Sequence, residues 1–253
     1  RLAAKILGWP FQWLGYKGDP AMPPVTRALT ALGPAYIKFG QILSTRPDVV
    51  GDELAVQLRV LQDKLPPFPI EEAQKMIEAE LERPLASMFQ DFSAPVAAAS
   101  IAQVHRAKLA SDGADVAVKV LRPGIERAFR RDIDAFYFAA RMVEVLAPGA
   151  RRLRPLDVIA HFEGVVLGEL DLRLESSAAG EFAANTESDE GFQLPQINWS
   201  LSGKNVMTMD WAEGIPAGDN AALDAVGHDR RQISERILQL FLSHALRDGF
   251  FHA

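Results

Sequence analysis

The sequence predicts an α+β fold, with a small antiparallel sheet and helices packed against it. Three observations predict it. The runs 100–109 and 115–121 are strand-like and are joined by Ser111-Asp112-Gly113, a hairpin signal. A second pair of strand-like runs, near 192–199 and 204–211, is parted by Ser202-Gly203. Helical stretches flank both pairs, so the order is helices, hairpin, helices, hairpin, helix.

Each element has its own justification. Residues 1–18 mix Trp9, Phe11, Trp13 and Tyr16 with Arg1, Lys5 and Lys17, a pattern that suits either a membrane interface or a short packed helix. Pro34 is placed to open a helix through Arg46, and Pro47 ends it. Leu54, Leu58, Leu61 and Leu65 recur at helical spacing before Pro66-Pro67 and Pro69 break the chain. Residues 70–82 form a helix with acidic residues at its start, as the helix dipole prefers. A helix over 125–147 follows the first hairpin. A long one over 155–184 opens at Pro155. The last helix, about 229–248, places Ile233, Ile237, Leu240, Phe241 and His244 on one face, with Asp229 as its N-cap.

Bulk properties exclude several classes. The 253 residues are 48% apolar, enough for one large domain or two small cores. There is no Cys, which rules out a disulfide framework and a thiolate metal site. The net charge of −6 provides no global basic field for nucleic acid. The five His are scattered without metal-ligand spacing, so no metal ligands are expected in this chain. No signal peptide is visible, and no run reaches the length that spans a bilayer. The chain starts at Arg1 rather than Met and stops at Phe250-Phe251-His252-Ala253, directly after a helix, so a fragment is expected.

Three polar motifs stand out from this background. Lys119 sits mid-strand in Val116-Ala117-Val118-Lys119-Val120, with the three valines on the opposite face. A Lys on an inner strand requires an anion, whereas on an edge strand it is merely solvated. Lys38 and Gln41 are spaced i,i+3 on one helix face, and Gly40 between them costs about 1 kcal/mol relative to Ala. That cost is tolerated more readily if something approaches closely. Glu169 and Arg173 form a possible i,i+4 surface pair. On one continuous helix Asp171 and Glu175 repel each other unless a cation intervenes, and Lys119 and Lys38 are the cations available.

Together these residues resemble the UbiB family of atypical kinase-like proteins, which act in ubiquinone biosynthesis. Lys38-Phe39-Gly40-Gln41 matches its K-x-G-Q motif, and Glu169-Leu170-Asp171 with Glu175 its E-x-D helix. The segment Ala97-Ala98-Ala99-Ser100-Ile101-Ala102-Gln103-Val104 is similar to the Ala-rich loop that replaces a kinase Gly-rich loop. Val116–Gly124 looks like the Lys strand, Thr208–Gly214 the hinge, and Gly249–Ala253 the start of the catalytic loop. One departure is Glu175-Ser176-Ser177-Ala178, where the family usually carries an Asn at the last position.

The resemblance implies a kinase-like N-lobe over 93–212, a helical N-terminal extension over 1–92 carrying the K-x-G-Q motif, and the start of a truncated C-lobe over 213–253. It implies that Lys119 contacts nucleotide phosphates and that Glu169 pairs with it. Ala97, Ala98, Ala99, Ser100, Val104 and Ala117 would surround the nucleotide, Met209 would line the pocket, and backbone groups of Asp210 and Ala212 would meet the adenine edge. Lys38 and Gln41 would belong to a helical cover over the site. ATP and Mg²⁺ are the implied cofactors, with the metal ligands outside this chain. Implied partners are quinone-pathway proteins or lipid precursors at the cytoplasmic side of a bacterial inner membrane. The alternative is a non-catalytic pseudokinase scaffold that binds lipid or partner proteins.

Overall fold

The computed structural model describes residues 21–62 and 66–250. The aromatic and cationic stretch 1–18, Leu65 and the last three residues lie outside them. Helices α1 (Pro24–Leu32), α2 (Pro34–Ser44), α3 (Pro47–Val50) and α4 (Asp52–Leu58) come first, and α4 runs on as a 3-10 turn, Arg59–Gln62. Pro34 opens α2 as expected, but α2 stops at Ser44 and Pro47 begins α3 instead of a loop. The apolar spacing of this region builds its own small core. Ile37, Leu58 and Leu61 are buried together, with Val25, Leu29 and Leu54 around them.

Helices α5 (Ile70–Leu81) and α6 (Leu85–Met88) lead into strands β1 (Phe89–Gln90), β2 (Pro95–Ala98), β3 (Ala102–Leu109) and β4 (Asp115–Leu121). Helix α7 (Ile125–Leu146) and a 3-10 segment (Pro148–Leu153) precede α8 (Pro155–Glu169) and α9 (Leu172–Asn185). Strand β5 (Val206–Asp210), α10 (Asn220–Ala225), α11 (Arg230–Ser243) and a π-helical turn (His244–Asp248) complete the order.

The sheet has five antiparallel strands in the order β1-β3-β4-β5, with β2 on the same edge of β3 as β1. β4 is therefore an inner strand, and its valines face a core. Val116, Val118 and Val120 pack with Ala73 and Ile77 of α5 and with Val206 of β5. The opposite face carries Lys119, in register with Val104 of β3 and Met207 of β5. A second core begins beside Lys119, where Leu121 and Met207 meet Phe129 of α7, Phe162 of α8 and Leu172 of α9. Phe39 of α2 joins it, its ring 5.2 Å from Phe136 and 5.3 Å from Phe162.

Two further sequence expectations are corrected. The strand near 192–199 is only a single bridge, Ile197 to Met209. A 3-10 turn at Trp199–Leu201 bends the chain away before a ladder can extend. The long helix over 155–184 is two helices. Leu170 closes α8, and Asp171 takes an extended conformation as N-cap of α9. The break is fixed from outside, because the Leu172 amide donates to the Lys204 carbonyl at 2.9 Å.

Candidate functional site

The helix break decides how the charged motifs pair. Lys119 Nζ donates to both oxygens of Glu175, at 2.6 and 2.7 Å. Lys38 Nζ lies 2.6 Å from Glu169 Oε2. The expected pairing of Glu169 with Lys119 is therefore corrected: Glu169, the last residue of α8, reaches α2, while Glu175 in the first turn of α9 reaches the sheet. Both acids were in the predicted cluster, but a continuous helix would have run past the point where the chain turns.

Asp171 leaves that cluster altogether. Its carboxylate accepts from the Arg173 amide at 3.1 Å and from the Arg173 guanidinium at 2.6 Å. The Arg173 hydrogen bond holds the Asp171 carboxyl below its ordinary range, against the opposing effect of burial. Asp171 and Glu175 are not like charges on one helix face, because Asp171 precedes the helix. The surface pair of Glu169 with Arg173 does not form, since Arg173 is bound to Asp171.

On α2, Lys38 and Gln41 serve different partners. Gln41 Nε2 donates to the Leu61 carbonyl at 2.7 Å, which fastens α2 to the turn after α4. Gly40 is buried, and a Cβ there would stand 2.4 Å from Leu61 Cδ1 and 2.9 Å from Leu29 Cδ1. The close approach that Gly40 permits is thus made by the extension's own leucines.

Around Lys119 the sheet face is lined by apolar side chains. Val104 and Ala117 lie beside it and Met209 is partly buried further along β5. Ala97 and Ala98 belong to β2, so the Ala-rich segment is a hairpin whose turn is Ala99-Ser100-Ile101. None of these turn residues takes a positive φ. Asp210 departs from its expected role at the amide. Its N–H donates to the Gln196 carbonyl at 3.0 Å, because β5 bridges the 196–198 segment on its free edge. Ala212 is exposed just beyond, beside Trp211, over whose ring Arg106 lies at 4.8 Å.

Cavities of about 630 and 520 Å³ flank this region; Asp210, Gln196 and Gly180 line the first, and Arg122, Leu170 and Asn205 the second. Lys119, Lys38 and Glu175 line neither. Among the described residues no group of three or more His, Asp or Glu is placed to hold a metal ion, and no helix is long and apolar enough to cross a membrane.

The sequence missed Arg122. Its Nε and Nη2 donate to the Ala99 carbonyl at 3.2 and 3.0 Å, and Nη2 also donates to the Pro66 carbonyl at 2.8 Å. The available signal was its place three residues after Lys119, where β4 has ended and a side chain can swing toward the turn.

Comparison with known proteins places the chain in a family. A family model described as the ABC1 atypical kinase-like domain matches residues 60–253. A protein named probable protein kinase UbiB from Marinobacter nauticus is 42% identical over 227 residues, covering 89% of this chain and 41% of the relative. One of the same name from Vibrio cholerae is 43% identical over 254 residues, covering 100% of this chain and 46% of the relative. A third, from Shewanella baltica, is 41% identical over 262 residues, with 100% and 48% covered. The chain spans about half the length of the curated relatives it matches.

Proposed function

The chain belongs to the UbiB family of atypical kinase-like proteins, and from that premise we propose that the Lys119 face of its N-lobe binds ATP. The observation that carries this reading is the ion pair between Lys119 of an inner strand and Glu175 of a packed helix. In kinases a strand Lys held by a helix Glu contacts the nucleotide phosphates. The Lys119 side chain is 23% exposed, so the pair sits at a surface that a ligand can reach.

The residues present suit a nucleotide. Lys119 would hold phosphate oxygens, Ala117, Val104 and Met209 would line the base side, and the Ala99-Ser100-Ile101 turn would lie over the phosphates. Of the two backbone contributors expected at the hinge, Ala212 keeps its proposed role and Asp210 can offer only its carbonyl. When bound, ATP supplies the transferable phosphoryl group. By the kinase likeness, Mg²⁺ would accompany the nucleotide and bridge its phosphates.

Lys38, held by Glu169, and Gln41 build the helical cover beside this face. Such a cover suits a small acceptor or water better than a folded protein substrate. The reading for the whole protein is an ATPase or kinase-like enzyme that supports ubiquinone biosynthesis at a bacterial membrane surface. A second reading, a scaffold for lipid or partner proteins, has its own observation. Phe138, Val145 and Leu146 of α7 and Leu153 are each more than 60% exposed, an apolar stripe open to a partner.

One experiment separates the two. ATP binding and hydrolysis by the full-length protein are measured with and without phenols that resemble quinone precursors, for wild type and Lys119→Ala. Removing the ammonium should weaken binding about tenfold or more, as expected for one charge-assisted contact. An unchanged rate in the variant removes Lys119 from the mechanism, and a wild type that binds no nucleotide favours the scaffold.

A further inference from the structure

The β2–β3 turn has no glycine at Ala99, Ser100 or Ile101, yet it is anchored from outside. Beyond the strand ladder, the Ala99 amide donates to the Ala102 carbonyl at 2.8 Å across the turn. Arg122 supplies the outside anchor. Its own amide donates to the Ile101 carbonyl at 2.8 Å, and its guanidinium grips the Ala99 carbonyl through two nitrogens. The third bond of the same guanidinium goes to the Pro66 carbonyl, and its carbon lies 5.6 Å over the Phe68 ring.

The far end of this link is itself fixed. Gln103 is 1% exposed, accepts from the Phe68 amide at 3.0 Å and donates to the Phe68 carbonyl at 3.3 Å. Gln103 also donates to His105 Nε2 at 2.9 Å, while His105 Nδ1 donates to the Ser93 carbonyl at 2.8 Å. This network holds the segment 66–69, which joins the α1–α4 extension to α5, on the sheet. Among the described residues Arg122 has no carboxylate partner, and its fork is committed to main-chain carbonyls from segments far apart in sequence. A planar guanidinium sets both distance and angle in such a link, which an ammonium does not.

We infer that Arg122 is a positioning residue that fixes the β2–β3 turn relative to Lys119 and to the 66–69 linker, and so sets how tightly the turn closes over nucleotide phosphates. The phosphate half of this inference rests on the nucleotide reading above. The clamp does not, because its bonds join protein groups alone. It ties the segment that leads into α5 to the rim of the site.

The test uses the full-length protein and the variants Arg122→Met, Arg122→Lys and Phe68→Leu. Hydrogen exchange is followed at 97–103 without nucleotide, and ATP and ADP affinities are measured by calorimetry, with exchange in α7 as the control for folding. Exchange at the turn should accelerate roughly tenfold in Arg122→Met, the effect of losing a charge-assisted hydrogen bond. Affinity should fall by a similar factor, and Arg122→Lys should fail to restore either. Phe68→Leu should shift both in the same direction by a smaller factor, and decides the matter if Arg122→Met does not fold. Unchanged exchange at the turn overturns the clamp. Faster exchange with unchanged affinity overturns its role at the site, as does wild-type behaviour of Arg122→Lys for the forked geometry. A wild type that binds neither nucleotide defeats the nucleotide reading, and exchange in the ligand-free protein still decides the clamp.

Discussion

Gly40 has no room for a methyl group, and that fact shows how far one residue could be understood before the fold was known. The sequence marked Gly40 as a place where something comes close. It could not say that the neighbours are Leu61 and Leu29, because contact between α2 and the turn after α4 depends on how the helices cross. Two effects compete on substitution. Alanine improves helix propensity by about 1 kcal/mol. A Cβ at 2.4 Å from Leu61 Cδ1 forces the buried leucine side chains to repack, which costs roughly 1–3 kcal/mol in a packed core. Overpacking wins, so Gly40→Ala should lower the midpoint of urea unfolding, and Gly40→Val should lower it further. A higher midpoint for Gly40→Ala would show that the leucines yield freely. Lys119 was more legible, since alternation along β4 alone placed it opposite Val118 and Val120.

At the scale of elements, the break between α8 and α9 is the feature the sequence hid. Apolar spacing continues through it, and Leu170-Asp171-Leu172 contains neither Gly nor Pro. The break rests on a tertiary bond, from the Leu172 amide to the Lys204 carbonyl, together with the local cap that Asp171 gives the start of α9. Asp229 shows the contrast. As an N-cap just ahead of a clean helical run it was legible, and it accepts from the amides of Arg231 and Gln232. Asp171 does the same work at α9, so its loss should fray the turn that carries Glu175. Asp171→Ala should destabilise the protein by about 1 kcal/mol, the usual cost of removing such a cap. Asp171→Asn should retain nearly full stability, because Asn caps as well as Asp. Thermal unfolding of both variants checks this, and equal losses in the two would assign the effect to the Arg173 ion pair instead.

Across the whole molecule, the last helix is tied to the chain between α9 and β5 mainly through one carboxylate. Asp189 Oδ2 meets His244 Nε2 at 3.0 Å and Arg247 Nη2 at 2.9 Å, beside the stacked rings of Phe182 and Phe250. The sequence placed His244 on one helix face with Ile237 and Phe241. His244 is buried, but Ile237 and Phe241 are exposed and α11 buries no residue among those described. Arg247 first, then His244, hold the Asp189 carboxyl down at about 2. Its folded value lies below the usual carboxylate range, so its contribution is complete above about pH 4 and fades as the pH falls toward 2. Asp189→Asn should therefore remove stability at neutral pH and flatten the acid limb of the stability curve over that window. Urea unfolding at a series of pH values, with hydrogen exchange of α11, measures both. A variant curve parallel to wild type would remove Asp189 from the balance. Another consequence follows from the way the four charged groups are matched. Lys38 and Lys119 each stand against one acid at 2.6 Å, which leaves two short dipoles rather than a patch of one sign. Such dipoles cast little field beyond a Debye length of about 8 Å. A highly charged ligand would reach this face by undirected diffusion, without electrostatic steering, and its rate of capture would change little with ionic strength.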